Sequence, residues 1–166
     1  MAQVYIGIGS NIDKHLHIPQ VLQELKLQFG KIDISPLYQT PAVGFEGEDF
    51  YNLVVGLSTR MTPHQLHKTL REIEAHHQRV RFTENQFISR TLDLDQLLYD
   101  DLQIKDDLLQ IPNPDILDYA FVLKPLADIA ANAMHPSLHK SIQQLWGEFD
   151  KSRLNMAVVT DLNLPE

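Results

Sequence analysis

Apolar and polar residues follow a pattern that predicts four strands and two helices in the first hundred residues. The strand-like segments are 4–9, 32–39, 50–60 and 91–99. Helical spacing begins at Ile18 and ends before Gly30. A second helix begins at Thr62, where a capping residue, a proline and Gln65 stand in the order typical of a helix start. Pro36 cannot donate a ladder hydrogen bond, so we expect it at a sheet edge or a bulge.

The order of these elements indicates the fold class. Strand–helix–strand–strand–helix–strand is the order of the ferredoxin-like split βαβ arrangement. We therefore expect an α+β fold, in which helices pack on an antiparallel βαββαβ sheet. Apolar spacing further predicts a short helix over 121–129, interrupted by Pro125, and an amphipathic helix over 137–149. These would be extra C-terminal helices of a single domain over 1–166, with residues 160–166 frayed.

Composition narrows the classes of protein that this chain can be. The net charge is −8, from 22 acidic and 14 basic residues, which argues against a nucleic-acid binder. No apolar run approaches the ~20 residues that a membrane span needs. The chain has no cysteine, which excludes disulfides and thiolate metal sites and fits a reducing cytoplasm. We therefore expect a cytoplasmic protein that binds small molecules, and we expect it to be a monomer.

The strand over 91–99 carries the clearest chemistry. Side chains alternate along a strand, so Asp93 and Asp95 share one face, with Leu92 and Leu94 on the other. Two neighbouring carboxylates repel each other unless a cation lies between them, and Mg²⁺ prefers such oxygen ligands together with substrate phosphates. A bare Asp-x-Asp also occurs on solvated edge strands, so the motif alone leaves both interpretations open.

Arginines stand directly upstream of this strand. Arg79, Arg81 and Arg90 lie in a segment without helical periodicity, and arginine suits bidentate contact with phosphate. Together with the carboxylates they indicate Mg²⁺-assisted phosphoryl chemistry. Arg71 and Glu74 lie at i,i+3 spacing on the preceding helix, where such a pair is usually a surface ion pair.

A second group of residues suits a flat ligand. Phe50 and Asn52 share a strand face, where an aromatic ring and an amide can stack on and hydrogen-bond a heterocycle. An ordinary core phenylalanine and a satisfied polar residue explain the pair equally well. The preceding segment, 40–49, contains two glycines and a proline and no periodicity, which is typical of a functional loop.

Taken in order, the motifs resemble the 6-hydroxymethyl-7,8-dihydropterin pyrophosphokinase family of folate biosynthesis. The resemblance extends from Tyr5 to about Phe149. It is carried by Tyr-Ile-Gly-Ile-Gly-Ser-Asn (5–11), Tyr-Gln-Thr-Pro (38–41), Asp-Phe-Tyr-Asn (49–52), Ile-Glu (73–74), Arg-Val-Arg (79–81), Arg-Thr-Leu-Asp-Leu-Asp (90–95) and Phe-Val-Leu-Lys-Pro-Leu-Ala-Asp-Ile-Ala (121–130).

The resemblance implies an activity and a set of site residues. The activity is Mg²⁺-dependent transfer of pyrophosphate from ATP to the hydroxymethyl group of the pterin, giving AMP. It implies two Mg²⁺ ions held by Asp93 and Asp95, which are also catalytic together with Arg81 and Arg90. The implied pterin-binding residues are Thr40, Pro41, Val43, Phe50, Asn52 and Phe121. The implied ATP-binding residues are Arg71, Glu74, Arg79, Arg81, Arg90 and Asn113.

The chain departs from the family pattern mainly on the nucleotide side. The family has Pro-His-Pro where this chain has Asn113 between two prolines, and an arginine where it has Tyr119. Gln78, Phe87 and the Ile88–Ser89 pair also replace family residues. Each lost charge-assisted contact weakens phosphate binding by about 1.5–3 kcal/mol. The alternative is therefore a weakly active or non-catalytic homologue that binds pterin or nucleotide.

Overall fold

The structure is a computed structural model that describes residues 1–42, 47–77, 92–152, 154–162 and 164. The strands are β1 (Ala2–Ser10), β2 (Asp33–Ile34), β3 (Tyr38–Thr40), β4 (Phe50–Thr59), β5 (Asp93–Tyr99), β6 (Ile104–Lys105), β7 (Gln110–Ile111), β8 (Met134–His135), β9 (Lys140–Ser141) and β10 (Ala157–Val158). The helices are α1 (Lys14–Phe29), α2 (Pro63–His76), α3 (Asp115–Asp118), α4 (Ala120–Ala130) and α5 (Ile142–Glu148). None of the helices in these ranges is long and apolar enough to cross a membrane.

The main sheet has the predicted topology. Its strand order is β10–β3–β4–β1–β5, and β2 also pairs with β4. Each described pair of neighbouring strands in this sheet is antiparallel. β1 lies between β4 and β5, and its full length pairs with β4, from Ala2 opposite Thr59 to Ser10 opposite Tyr51. The expected α+β, ferredoxin-like sheet is therefore confirmed.

Helices cover both faces of the sheet because alternate residues of its strands are apolar. One face packs against α1 and α2. The buried residues of this layer include Val4, Ile6, Ile8, Ile18, Leu22, Leu53, Val55, Leu66, Leu70, Leu92 and Leu94. The other face packs against α4 and α5. Its buried residues include Val54, Leu97, Leu98, Leu123, Leu126, Ile142 and Leu145. Burying each large aliphatic side chain contributes about 1.5–3 kcal/mol to the free energy of unfolding, so both helical layers stabilise the sheet.

Local sequence signals explain how the first two helices begin and end. The Thr62 hydroxyl accepts a hydrogen bond from the Gln65 amide at 3.2 Å, and the Gln65 side chain accepts one from the Thr62 amide at 2.9 Å. This is the predicted capping box at the start of α2. α1 starts at Lys14, four residues before the predicted start, and ends at Gly30, whose φ of 80° suits glycine.

The predicted strand over 32–39 is divided into β2 and β3. Pro36 stands in the break, where its missing N–H removes no ladder hydrogen bond. The Ser35 hydroxyl accepts a hydrogen bond from the Val54 amide at 2.9 Å, and the Ser35 amide donates to the Val54 carbonyl. The break therefore stays attached to β4, and β3 then pairs with β4, from Tyr38 opposite Asn52 to Thr40 opposite Phe50.

The C-terminal third differs from the predicted pattern in two places. Pro125 does not interrupt α4, which continues through it. The helix predicted over 137–149 is wrong in its first half, because β8 and β9 form a hairpin and Ser141 then caps α5 through the Gln144 amide at 3.1 Å. In the segment expected to fray, 160–166, the partly buried Leu162 and Leu164 pack against the core, beyond the pairing of β10 with β3.

Candidate active site

A cavity lies between the sheet and the start of α4. Three strands form its floor, and the remaining walls come from the end of β3, from α3 and from the first residues of α4. Its polar and aromatic lining residues are Thr40, Phe50, Asn52, Asp93, Asp95, Asp115, Tyr119 and Phe121, and its small or apolar ones include Gly7, Gly9, Pro41, Val54, Leu97 and Val122. Residues from five segments of the chain therefore meet in one place.

The residues predicted to hold the pterin lie together here, as far as the structure describes them. Thr40 and Pro41, at and just after the end of β3, Phe50 and Asn52 on β4, and Phe121 on α4 all line the cavity. The Asn52 amide nitrogen donates to the Thr40 hydroxyl at 2.9 Å, and both side chains are buried. Phe50 is half-buried and lines the cavity, so it is more than a core residue.

Val43, also predicted to contact the pterin, lies outside the described residues.

Two glycines of β1 shape the cavity floor. A Cβ atom added at Gly9 would stand 3.1 Å from the Asn52 side-chain oxygen, closer than almost all real Cβ contacts. Gly7 and Gly9 pair with Asp95 and Asp93 across the β1–β5 ladder. Glycine at these two positions therefore leaves space above the sheet next to the carboxylates. In the sequence, glycine alternates with isoleucine in segment 5–11, and glycine inside a strand can mark a close approach to a ligand. Only the pairing of β1 with β5 shows that this space lies next to Asp93 and Asp95.

Asp93 and Asp95 share a face of β5, as predicted, while Leu92 and Leu94 are buried in the opposite layer. Although β5 is an edge strand, both carboxylates are partly buried and line the cavity, so they lie in a concave site and not on an open surface. Burial, the charge of Asp93 and a hydrogen bond to Asp93 raise the pKa of Asp95 well above its ordinary value, against the opposing charge of Arg71. Without a cation, this pair therefore tends to retain a proton.

This donor set fits a magnesium ion. In the described part of the chain, no group of three or more histidine or carboxylate side chains forms a metal cage. A pair of carboxylates without such a cage is the arrangement that Mg²⁺ uses when substrate phosphates and water complete its coordination.

Arg71 and Glu74 form a buried connection between α2 and β5. Arg71 donates to the Glu74 carboxylate at 2.5 Å, to the Asp95 carboxylate at 3.3 Å and to the Leu94 carbonyl at 3.2 Å. Glu74 is only 2% exposed and also accepts a hydrogen bond from the Leu94 amide at 2.8 Å. Burial lowers the pKa of Arg71, but the carboxylates of Glu74 and Asp95 outweigh that effect and raise it.

The expected surface ion pair is therefore wrong: this pair supports the strand that carries the acids. Neither Arg71 nor Glu74 is among the described residues that line the cavity.

The two departures on the nucleotide side have different surroundings. The Asn113 side-chain oxygen accepts a hydrogen bond from the Asp115 amide at 2.9 Å, and the Asn113 amide donates to the Leu97 carbonyl at 2.9 Å. Tyr119 lines the cavity and stacks on Phe121 with ring centroids 4.9 Å apart.

The predicted phosphate-binding arginines, Arg79, Arg81 and Arg90, lie outside the described residues.

One contact next to the site had no signal in the sequence. The Tyr38 hydroxyl donates to the Asp128 carboxylate, which also accepts a hydrogen bond from Lys124. Tyr38 lies two residues before Thr40, and Asp128 lies on the same helix as Phe121. The contact thus connects two walls of the cavity across 90 positions of sequence.

Comparison with known proteins identifies the family of this chain. The model of the family described as 7,8-dihydro-6-hydroxymethylpterin-pyrophosphokinase (HPPK) matches residues 5–131. The chain is 33% identical to the 2-amino-4-hydroxy-6-hydroxymethyldihydropteridine pyrophosphokinase of Aquifex aeolicus over 148 residues, which are 87% of this chain and 90% of that protein. It is 37% identical to the protein of the same name from Methylorubrum extorquens, over 78% of this chain and 84% of that one.

Longer proteins also match, over part of their length. The chain is 38% identical to the folic acid synthesis protein FOL1 of Dictyostelium discoideum over 82% of its own length, but spans only 21% of that protein. The crystal structure of the wild-type HPPK-DHPS protein of Plasmodium falciparum has the same fold, with a TM-score of 0.65 at 14% identity, over 89% of this chain and 43% of that one. From the family match and these identities, the chain belongs to the 7,8-dihydro-6-hydroxymethylpterin-pyrophosphokinase family.

Proposed function

We propose that this chain transfers pyrophosphate from ATP to the hydroxymethyl group of 6-hydroxymethyl-7,8-dihydropterin, releasing AMP. The observation that carries the proposal is one cavity in which Phe50, Asn52 and Phe121 lie beside Asp93 and Asp95. A site for a flat heterocycle next to a site for a phosphate-bound metal ion is what this reaction requires.

The pterin half of the cavity suits an uncharged, flat, hydrogen-bonding ring. Phe50 projects from the sheet and Phe121 from α4, so aromatic surface is available from two walls. The hydrogen bond from Asn52 to Thr40 fixes the orientation of the Asn52 amide, which then presents a defined hydrogen-bonding pattern to the ring edge. Thr40, Pro41 and Val43 would contribute backbone groups to the same edge.

The phosphate half depends on Asp93 and Asp95, which would hold two Mg²⁺ ions. Such ions neutralise phosphate charge and orient the transferring group. The hydroxymethyl oxygen attacks the β-phosphorus of ATP, the bond from that phosphorus to the oxygen bridging to the α-phosphate breaks, and AMP leaves while the hydroxyl proton is released. Arg79, Arg81 and Arg90 would bind the phosphates. The contacts of Arg71 and Glu74 favour a role in holding β5 in place.

Some finer expectations belong to the same proposal: one domain, a monomer, a cytoplasmic location and no nucleic-acid partner. The net charge of −8 supports the last of these, because nucleic-acid binders are normally basic.

A second function, pterin binding with little or no transfer, is favoured by two residues. Asn113 supplies no positive charge, and its side-chain oxygen already accepts a backbone hydrogen bond. Tyr119, which stands where the resemblance expects an arginine, supplies none either. Loss of both charges would weaken ATP binding while leaving the pterin-binding residues intact.

AMP formation from ATP, Mg²⁺ and 6-hydroxymethyl-7,8-dihydropterin distinguishes the two functions. We expect AMP only when the pterin is present. Asp95→Asn should lower the rate about a thousandfold or more, because metal stabilisation of transferring charge is worth several kcal/mol. Asp101→Asn, an exposed carboxylate in the turn after β5, is the matched control and should keep the wild-type rate. Pterin binding without AMP would establish the second function, and unchanged activity of Asp95→Asn would refute the assigned metal site.

A further inference from the structure

The cavity described above shares a wall with a second cavity. The first has a volume of about 100 Å³, and the second, of about 360 Å³, lies against the segment that follows α5. Thr40, Pro41, Tyr119 and Phe121 border both. Phe121 therefore has open space on two sides, and its ring could turn away from the first cavity into the larger second one.

Tyr119 is the residue whose ring contacts Phe121 between these two spaces. Its ring stacks on Phe121 with centroids 4.9 Å apart and planes inclined by 23°. The backbone of Tyr119, in extended conformation between α3 and α4, is held on both sides. Its amide donates to the Asp115 carbonyl at 3.0 Å, and its carbonyl accepts hydrogen bonds from Val122 and Leu123 at 3.1 and 3.0 Å.

We propose that Tyr119 is a positioning residue for pterin binding, which acts by backing the ring of Phe121 so that the opposite face of that ring stays turned to the pterin. The inference rests on the proposed function, because it assigns Phe121 to the pterin site. It also gives a physical meaning to the departure at this position: a stacking ring replaces the expected arginine. Tyrosine in place of arginine removes a positive charge from the nucleotide side of the site. On the pterin side, its ring restrains the ring of Phe121.

The geometry argues against Tyr119 blocking the site itself. The first cavity remains open while the two rings are stacked, and Tyr119 borders it together with Phe50 and Asn52. A ring that filled the pterin position would leave no such space between α4 and the sheet. Removing the Tyr119 ring should therefore weaken pterin binding, whereas removal of a blocking ring would strengthen it.

The test is pterin affinity, measured by fluorescence titration of 6-hydroxymethyl-7,8-dihydropterin without nucleotide. Aromatic stacking energies correspond to about a two- to tenfold change in affinity. We expect this increase in Kd for Tyr119→Leu and for Tyr119→Gln, and a Kd within twofold of wild type for Tyr119→Phe, which keeps the ring. In steady-state assays the KM for pterin should rise by the same factor, while the KM for ATP stays unchanged.

Phe149→Leu is the matched control. Phe149 stacks on Trp146 at 5.9 Å and borders the second cavity, so its replacement removes an aromatic ring there without touching the Tyr119–Phe121 stack. It should keep the wild-type Kd. Wild-type affinity in both non-aromatic Tyr119 variants, or tighter binding in either, would overturn the inference alone. Absence of both pterin binding and AMP formation by the wild-type protein in the presence of ATP and Mg²⁺ would overturn the proposed function itself, and this outcome needs no variant.

Discussion

Replacing Glu74 with glutamine tests the buried connection between α2 and β5. Glutamine keeps the shape of the side chain and one acceptor oxygen, but it removes the negative charge that faces Arg71. In the wild-type protein that carboxylate accepts a hydrogen bond from Arg71 at 2.5 Å and one from the Leu94 amide at 2.8 Å. The Glu74 side chain is 2% exposed and that of Arg71 is 28% exposed, so water compensates little of the loss.

The size of the effect follows from these contacts. A hydrogen bond to a charged group contributes about 1.5–3 kcal/mol, and breaking a buried ion pair by removing one partner costs about 3–5 kcal/mol. Arg71 keeps Asp95 and the Leu94 carbonyl as partners. We therefore expect Glu74→Gln to lower the free energy of unfolding by about 3 kcal/mol, which corresponds to about 6–12 °C in Tm for a chain of this size.

Urea unfolding followed by circular dichroism measures this change. The matched control is Glu72→Gln, which makes the same charge change at an exposed position of the same helix and should stay within about 0.5 kcal/mol of wild type. A Glu74→Gln protein as stable as this control would refute the reasoning. It would mean that Arg71 and Glu74 are not held together in solution and that β5 does not depend on them.

Two further predictions concern contacts that do not involve the cavity carboxylates Asp93 and Asp95. Tyr38→Phe removes the hydrogen bond to the Asp128 carboxylate and should lower the free energy of unfolding by about 1.5–3 kcal/mol in urea, and a loss below about 0.5 kcal/mol would contradict the contact. Burial lowers the pKa of His135, whose Nδ1 accepts hydrogen bonds from the Ser137 and Leu138 amides. Its stabilising effect is therefore complete above its unfolded pKa of 6.5 and declines as the pH falls towards the lower folded value. His135→Asn, which keeps an acceptor but does not titrate, should lose less stability than wild type between pH 7.5 and 5.5, and equal losses would refute this assignment.

Local periodicity was sufficient to predict the sheet and the placement of the acids. Alternation alone placed Asp93 and Asp95 opposite Leu92 and Leu94, because a strand has only two faces. It failed over 137–149, where the spacing of apolar residues fits a helix throughout. There the β8–β9 hairpin and the Ser141 cap delay the helix start to Ile142.

The contacts that hold the residues of the site in place join segments that are far apart in the sequence. Local sequence patterns therefore did not predict them. Arg71 and Glu74 have the spacing of an ordinary surface pair, and only the packing of α2 against β5 buries Glu74 and brings Arg71 to Asp95. Tyr38 and Asp128 are 90 positions apart. The stack of Tyr119 on Phe121 depends on the extended backbone between α3 and α4, which sequence periodicity does not indicate.

Charge balance separates the two candidate functions. Asp93, Asp95 and Asp115 line the cavity, and no lysine or arginine is among its described lining residues. Two like charges 4 Å apart repel by about 4 kcal/mol at the effective dielectric constant of a protein surface. ATP therefore needs cations at this site, and an uncharged pterin ring does not. Under the proposed function, divalent ions on the acid pair and the arginines at positions 71, 79, 81 and 90 would supply them. Compared with the histidine and arginine that the resemblance expects, Asn113 and Tyr119 supply no positive charge to a nucleotide. Under the proposed function, the choice between an enzyme and a pterin-binding protein therefore depends on whether the remaining cations hold ATP tightly enough.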